Sequence, residues 1–180
     1  MPRRWVRAAM KALVVTGDGF EDMELYYPLY RLQEAGWEVD VAAARAGVVK
    51  GMHGYTARAD LTFDGAVAAA YDLMVLPGGR APRQLRTDER ALSLIRAYWE
   101  LHRPLAAICH GPQILVAAGL VAGRRLTGYH TVQKELAAAG ALVEDVPAVV
   151  DGMLVTSRVP EDLPHFARAM FEILGRNTNR

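Results

Sequence analysis

The sequence predicts an α/β fold built on one mostly parallel sheet with helices on both faces. Short apolar β-prone runs alternate with stretches of helical periodicity along the chain. The clearest runs contain no polar break, the pattern of strands buried on both faces. Three of them end in turn chemistry, at Gly17-Asp18-Gly19, Pro77-Gly78-Gly79 and Cys109-His110-Gly111. Sheets of this kind bind ligands outside the carboxyl ends of their strands, so these three ends should share one edge.

The first strand is read at Ala12 to Thr16, followed by a helix over Glu21 to Ala35. Leu25, Leu29 and Leu32 recur there at helical spacing and Gly36 supplies the stop. Pro28 should kink this helix or fall in its first turn, because it lacks an amide proton. Trp37 to Ala43 alternates as a second strand, and Val48 to Ala59, with Gly51 and Gly54, reads as an irregular or hairpin excursion. A buried strand over Asp72 to Pro77, a helix over Glu89 to His102 and a strand over Leu105 to Ile108 come next. They are followed by a helix over Gln113 to Ala118, a short strand at Arg124 to Thr127, a helix over Val132 to Ala139 and a strand over Val143 to Val150. Asp151-Gly152 is a hairpin turn leading into Leu154 to Ser157, and Pro160 opens a final helix running to Leu174.

A chain of 180 residues, 52% hydrophobic, can build one sizeable core, and a single domain over 10–180 is expected after an extension at 1–9. Met10 is an alternative start. With 21 basic and 20 acidic residues the net charge is +1, which gives no reason to expect nucleic acid or an anionic membrane as partner. The apolar stretch near the N-terminus is too short for a signal peptide or a membrane span, and a cytoplasmic location is expected. One cysteine excludes an intramolecular disulfide and four-cysteine zinc sites. No metal-ligand spacing and no Gly-rich phosphate loop are present, and no metal or other cofactor is expected.

That cysteine, Cys109, stands where an apolar strand stops and a helix begins. A buried structural thiol would more naturally lie mid-strand. At a strand-to-helix elbow a nucleophile projects from the sheet, and the following helix favours its thiolate. Glu21 and Glu24 are spaced i,i+3 and read either as a solvated first turn or, for Glu24 beside Leu25-Tyr26-Tyr27, as a partly desolvated carboxyl of raised pKa that could protonate sulfur. His110 is expected to point away from its neighbour's sulfur, while its amide, with that of Gly79, could form an oxyanion hole. Tyr129, His130 and His53 are weaker candidates.

The stretches Phe20-Glu21-Asp22-Met23-Glu24, Leu76 to Pro82 (Leu-Pro-Gly-Gly-Arg-Ala-Pro), Ile108-Cys109-His110-Gly111-Pro112 and Ser157-Arg158-Val159-Pro160 occur in this order over residues 10 to 174. Together they resemble the PfpI-like family (intracellular protease I), within the superfamily of the parkinsonism-associated deglycase. The resemblance implies a flavodoxin-like three-layer sandwich of the class I glutamine amidotransferase-like kind and self-association, with a homodimer expected. It also implies a cysteine nucleophile, matched by Cys109, whose thiolate is hydrogen-bonded by a protonated glutamate, matched by Glu24. Glu21 matches the second acidic position, Tyr129 a site-lining position, and Gly79 and His110 the oxyanion amides, with Gly78 beside them. In family members proposed to be peptidases, a glutamate from a neighbouring subunit follows Arg-Ala-Pro and completes a Cys-His-Glu triad. This chain has Arg83 there, and a cation cannot accept the histidine's hydrogen bond. Asp88 or Glu89 could substitute.

The function expected from these readings is stress protection. Cys109 would attack a reactive carbonyl such as methylglyoxal, or an early glycation adduct, with Glu24 as acid/base and His110 beside it. The alternatives are an oxidative-stress sensor or partner protein acting through Cys109 oxidation, and a cysteine peptidase weakened by Arg83.

Overall fold

The structure is a computed structural model that describes residues 9–177, so residues 1–8 of the expected extension lie outside the described residues. Its elements in chain order are β1 (Lys11–Val15), α1 (Asp22–Glu34), β2 (Glu38–Ala43), β3 (Gly47–Lys50), β4 (Thr56–Ala59) and β5 (Leu61–Thr62). A 3-10 turn at Ala68–Ala70 leads to β6 (Leu73–Leu76), α2 (Ala81–Leu85), α3 (Glu89–Trp99), β7 (Leu105–Ile108) and α4 (Pro112–Ala118). Then come β8 (Arg125–Leu126), α5 (His130–Ala138), β9 (Leu142–Val143), β10 (Ala148–Asp151), β11 (Leu154–Ser157), a 3-10 turn at Pro160–Asp162 and α6 (Leu163–Asn177).

Seven strands form the central sheet in the order β10-β11-β7-β6-β1-β2-β5. All neighbours are parallel except β10, which returns antiparallel beside β11 through the Gly152 turn. Helices α1 and α6 pack together on one side, and α2, α3, α4 and α5 pack in series on the other. This is a flavodoxin-like sandwich, and its topology explains the unbroken apolar strands. Ala12 to Val15, Leu73 to Leu76 and Leu105 to Ile108 are fully buried because both faces are covered. No helix among the described residues is long and apolar enough to cross a membrane.

Local chemistry sets the helix ends. The Glu21 side chain caps α1 by accepting from the Glu24 amide at 2.9 Å, and Asp88 caps α3 through the Arg90 amide at 3.0 Å. Pro112 opens α4, and Gly119, at φ 77°, closes it. Helix α1 runs through Pro28 without ending.

Several expectations are corrected. Glu21 lies outside the first turn of α1, as its cap. Helix α3 stops at Trp99 rather than His102, whose φ of 52° is incompatible with helix. The strand expected over 143–150 is two elements. β9 pairs with β8 in a separate parallel ribbon, Pro147 interrupts, and only β10 joins the main sheet. Of the two readings of the excursion at 48–59, the hairpin is the one observed, as β3–β4, while β5 and α2 are short elements that periodicity does not mark. Pro160 opens a 3-10 turn, and the helix proper starts at Leu163.

Candidate functional site

The three turn-like strand ends do share one edge. Phe20, after the first, bridges Gly79, after the second, and Gly78 lies against Cys109, after the third. Cys109 itself has φ 62°, a left-handed conformation that a non-glycine residue holds at a cost of about 1–3 kcal/mol. Its backbone is pinned on both sides: its amide donates to Ser157 O at 3.0 Å and its carbonyl accepts from the Tyr129 amide at 2.9 Å. Gly111 completes the turn because a Cβ there would stand 2.4 Å from the Leu76 carbonyl oxygen.

Two glycines make room for the chemistry. A Cβ on Gly78 would meet Glu24 Oε2 at 2.6 Å, the Cys109 Cβ at 2.7 Å and the His110 nitrogen at 2.9 Å. Gly79 has φ 83°, and a Cβ there would meet the Glu21 nitrogen at 2.4 Å. The Pro-Gly-Gly turn is therefore small so that α1 and the elbow can close on one another.

Glu24 is 0% exposed. Its Oε2 accepts from the Gly78 amide at 2.8 Å, Oε1 has no hydrogen-bond partner among the described residues, and the carboxyl interacts with the Cys109 thiol. Burial, then the charge of Glu21, pushes the carboxyl up to about 8, so it holds its proton at neutral pH.

The sequence expects a helix-stabilised thiolate at Cys109, and the site opposes this. Burial pushes the thiol up and an ionised Glu24 would push it further, while the amides of Gly79 and His110, directed at the sulfur, pull it down. Those amides thus face the sulfur itself, where the sequence reading aims them at an attacked carbonyl. A protonated Glu24 removes its own repulsion, leaving burial to oppose the ionised sulfur and the two amides to favour it.

His110 is the clearest correction. Its Nδ1 lies 3.3 Å from the Cys109 Sγ rather than turned away. The turn that gives Cys109 its positive φ swings the next side chain back over the sulfur. Burial lowers the His110 pKa, and Arg83 and His130 lower it further, so the ring is neutral at pH 7. Tyr129 stacks over it, with ring centroids 4.8 Å apart.

Glu21 has a mainly structural position: besides capping α1 it lies 3.5 Å from His53 Nε2. His53 reaches the site because Asp22, which the sequence reading did not single out, accepts from the His53 amide at 3.0 Å and the Tyr55 amide at 2.8 Å. The signal was present, since Asp22 is the middle acid of the Phe-Glu-Asp stretch. The resulting cavity, about 510 Å³, is lined by Glu21, Glu24, His53, Gly79, Cys109, His110 and Tyr129 together with Arg80, Arg83, Arg86 and Gln113. His130 is exposed at its margin.

Asp88 and Glu89 do not replace the missing glutamate within the protomer. Asp88 binds Arg90, and Glu89 pairs with Arg96 at 2.5 Å. Among the described residues no group of three or more His, Cys, Asp or Glu side chains converges as a metal site would.

Comparison with known proteins identifies the family. Residues 10–173 match the DJ-1/PfpI family. The chain is 45% identical over 165 residues to "Deglycase PH1704" of Pyrococcus horikoshii, covering 92% of this chain and 99% of that one. It is 39% identical over 168 residues to "Protein/nucleic acid deglycase 2" of Escherichia coli, covering 92% and 98%. Among solved structures, a two-domain protein of Anabaena variabilis with a DJ-1/ThiJ/PfpI-like and a ferritin-like domain superposes with a TM-score of 0.90 at 36% identity. The match covers 92% of this chain and 48% of that one, so this chain spans about half of the two-domain protein.

Proposed function

The chain belongs to the DJ-1/PfpI family, and from that premise we propose that it is a cysteine-dependent enzyme of deglycase or glyoxalase type, acting on reactive carbonyls or glycation adducts. One observation carries the reading: the sulfur of a left-handed Cys109 lies between a buried carboxyl that keeps its proton and a neutral imidazole. Paired groups whose environments push their protonation in opposite directions are suited to acid and base roles.

In this scheme His110 Nδ1 takes the thiol proton as the sulfur attacks the carbonyl carbon, so that a C–S bond forms and the carbonyl electrons move to oxygen. Glu24 gives its proton to that oxygen or to a leaving amine. The Gly79 and His110 amides hold negative charge, first on sulfur and then beside it. With methylglyoxal, transfer of the hemithioacetal proton to the adjacent carbonyl carbon yields a thioester. Water then cleaves the thioester to lactate and restores the thiol. Every atom comes from the carbonyl compound and one water, and no external oxidant is needed. A stress-protective role in the cytoplasm, and a homodimer, belong to the same proposal.

Methylglyoxal consumption by wild type and Cys109→Ala tests it, and equal rates would end it. A second reading, oxidation of Cys109 to a sulfenic or sulfinic acid, is supported by the same protonated carboxyl, which could donate to a sulfinate oxygen, and by the absence of a second cysteine to resolve it. Peptide hydrolysis is disfavoured: the neighbour that acts on the His110 ring at this rim is the cationic Arg83 rather than a carboxylate.

A further inference from the structure

We propose that Arg80 and Arg83 form an anion-binding subsite that selects, as partners of Cys109, carbonyl compounds carrying a carboxylate or phosphate. This rests on the reading of Cys109 as a nucleophile given above.

The cavity at Cys109 has three arginines in its wall, and they differ in kind. Arg86 is neutralised, since its guanidinium grips both oxygens of Glu135, whose Oε2 also accepts from Gln113 Nε2 at 2.7 Å. Arg80 and Arg83 make no ion pair with any carboxylate of the described residues, and both are exposed at the cavity. Their backbones are joined in one turn, the Arg83 amide donating to the Arg80 carbonyl at 3.1 Å, and i,i+3 spacing sets the two side chains on one side of that turn.

The acids of the site do not compensate them. Glu24 holds its proton, Glu21 is engaged with the Glu24 amide and His53, and Glu161 acts on Glu24 from the Pro160 side. A chain of net charge +1 therefore concentrates two uncompensated guanidinium groups at the mouth of its nucleophile's cavity. Guanidinium forks match the oxygens of carboxylate and phosphate, and about 510 Å³ suits a small ligand. Among the described residues no helix cap and no ion pair depends on either guanidinium. During attack the anion stays on the arginines unchanged, while the C–S bond forms and the carbonyl oxygen is protonated as above.

Alkylation of Cys109 by iodoacetate and by iodoacetamide tests this, because the reagents have the same shape and differ in charge. Each forms the S–C bond and releases iodide. The readout is the ratio of the two second-order rate constants, divided by the same ratio for glutathione. At low ionic strength the wild-type value should be about tenfold or more above one and should shrink towards one in about 0.5 M salt. It should fall to near one in the double variant Arg80→Gln/Arg83→Gln, whereas Arg83→Lys should retain most of it. Glyoxylate should also slow iodoacetamide labelling of wild type at lower concentration than neutral glyoxal does, with that advantage lost in the double variant. A wild-type value near one, or a value unchanged by the double substitution, overturns the subsite. If it does so while methylglyoxal is still consumed in a Cys109-dependent way, the functional reading stands without it. A raised value with no Cys109-dependent consumption keeps the subsite and removes that reading. Failure of either reagent to label Cys109 removes both.

Discussion

The Gly78 amide hydrogen-bonds Oε2 of Glu24 at 2.8 Å, and among the described residues that single amide is the only backbone donor to a carboxyl that is wholly removed from water. One donor does not offset the loss of hydration, so the carboxyl is raised from 4.5 to about 8. Between those values the folded chain binds a proton that the unfolded chain has released, so stability falls as pH rises. The stabilising protonated state is fully present below about 4.5 and is lost as pH passes through about 8. Denaturant unfolding of wild type and Glu24→Gln at pH 5 and pH 8.5 should show the variant gaining on wild type by on the order of 3–5 kcal/mol at the higher pH. A constant difference would mean that Glu24 is ionised throughout.

The proposed catalysis by a neutral His110 and a protonated Glu24 would have two pH limits. The base is lost below the His110 pKa, which lies under 6.5, and the acid is lost above about 8. The rate kcat/KM for methylglyoxal should therefore form a plateau across neutral pH. Glu24→Gln should lose the alkaline limb, and His110→Ala should lower kcat by about 10²–10⁴-fold. An unchanged profile in both variants would remove them from the chemistry.

Gly78 and Gly119 separate crowding from backbone strain. A methyl group on Gly78 would collide with Glu24, Cys109 and His110, whereas Gly119 has open space and only a positive φ of 77°. Gly78→Ala should cost about 1–3 kcal/mol and most of the activity. Gly119→Ala should cost about 1 kcal/mol and leave kcat near wild type. Thermal unfolding with activity measured on the same samples distinguishes them.

Asp22 holds the segment that delivers His53, accepting from two of its amides. Asp22→Asn replaces one acceptor with a donor facing an N–H, at about 1–3 kcal/mol locally. Hydrogen exchange at His53 and Tyr55 should accelerate, and KM should rise more than kcat falls. Unchanged exchange would show that the segment is held by other contacts, such as the Met52 amide to Phe20 O at 2.9 Å.

The sequence was most legible where a covered sheet demands continuous apolar strands, as in Leu73–Leu76 and Leu105–Ile108, and where close approach or a positive φ demands glycine, as in Gly78-Gly79 and Gly111. It was least legible where partners come from distant segments. The strand expected over 143–150 divided because β9 pairs with β8 while β10 pairs with β11, a choice that periodicity within the segment does not encode. The short α2 and β5 carry too few residues for a period to show.

By itself the sequence determined the alternating architecture, the elbow at Cys109 and the meeting of three strand ends at one edge, because each follows from local pattern or from the rule that parallel strands present their carboxyl ends together. Only the tertiary structure decided the protonation and direction of the working groups. Burial between α1 and the elbow keeps the proton on Glu24, the positive φ of Cys109 brings His110 over the sulfur, and Asp22 carries His53 to the cavity. Desolvation and side-chain direction depend on what packs from elsewhere in the chain, and no window of sequence contains that information.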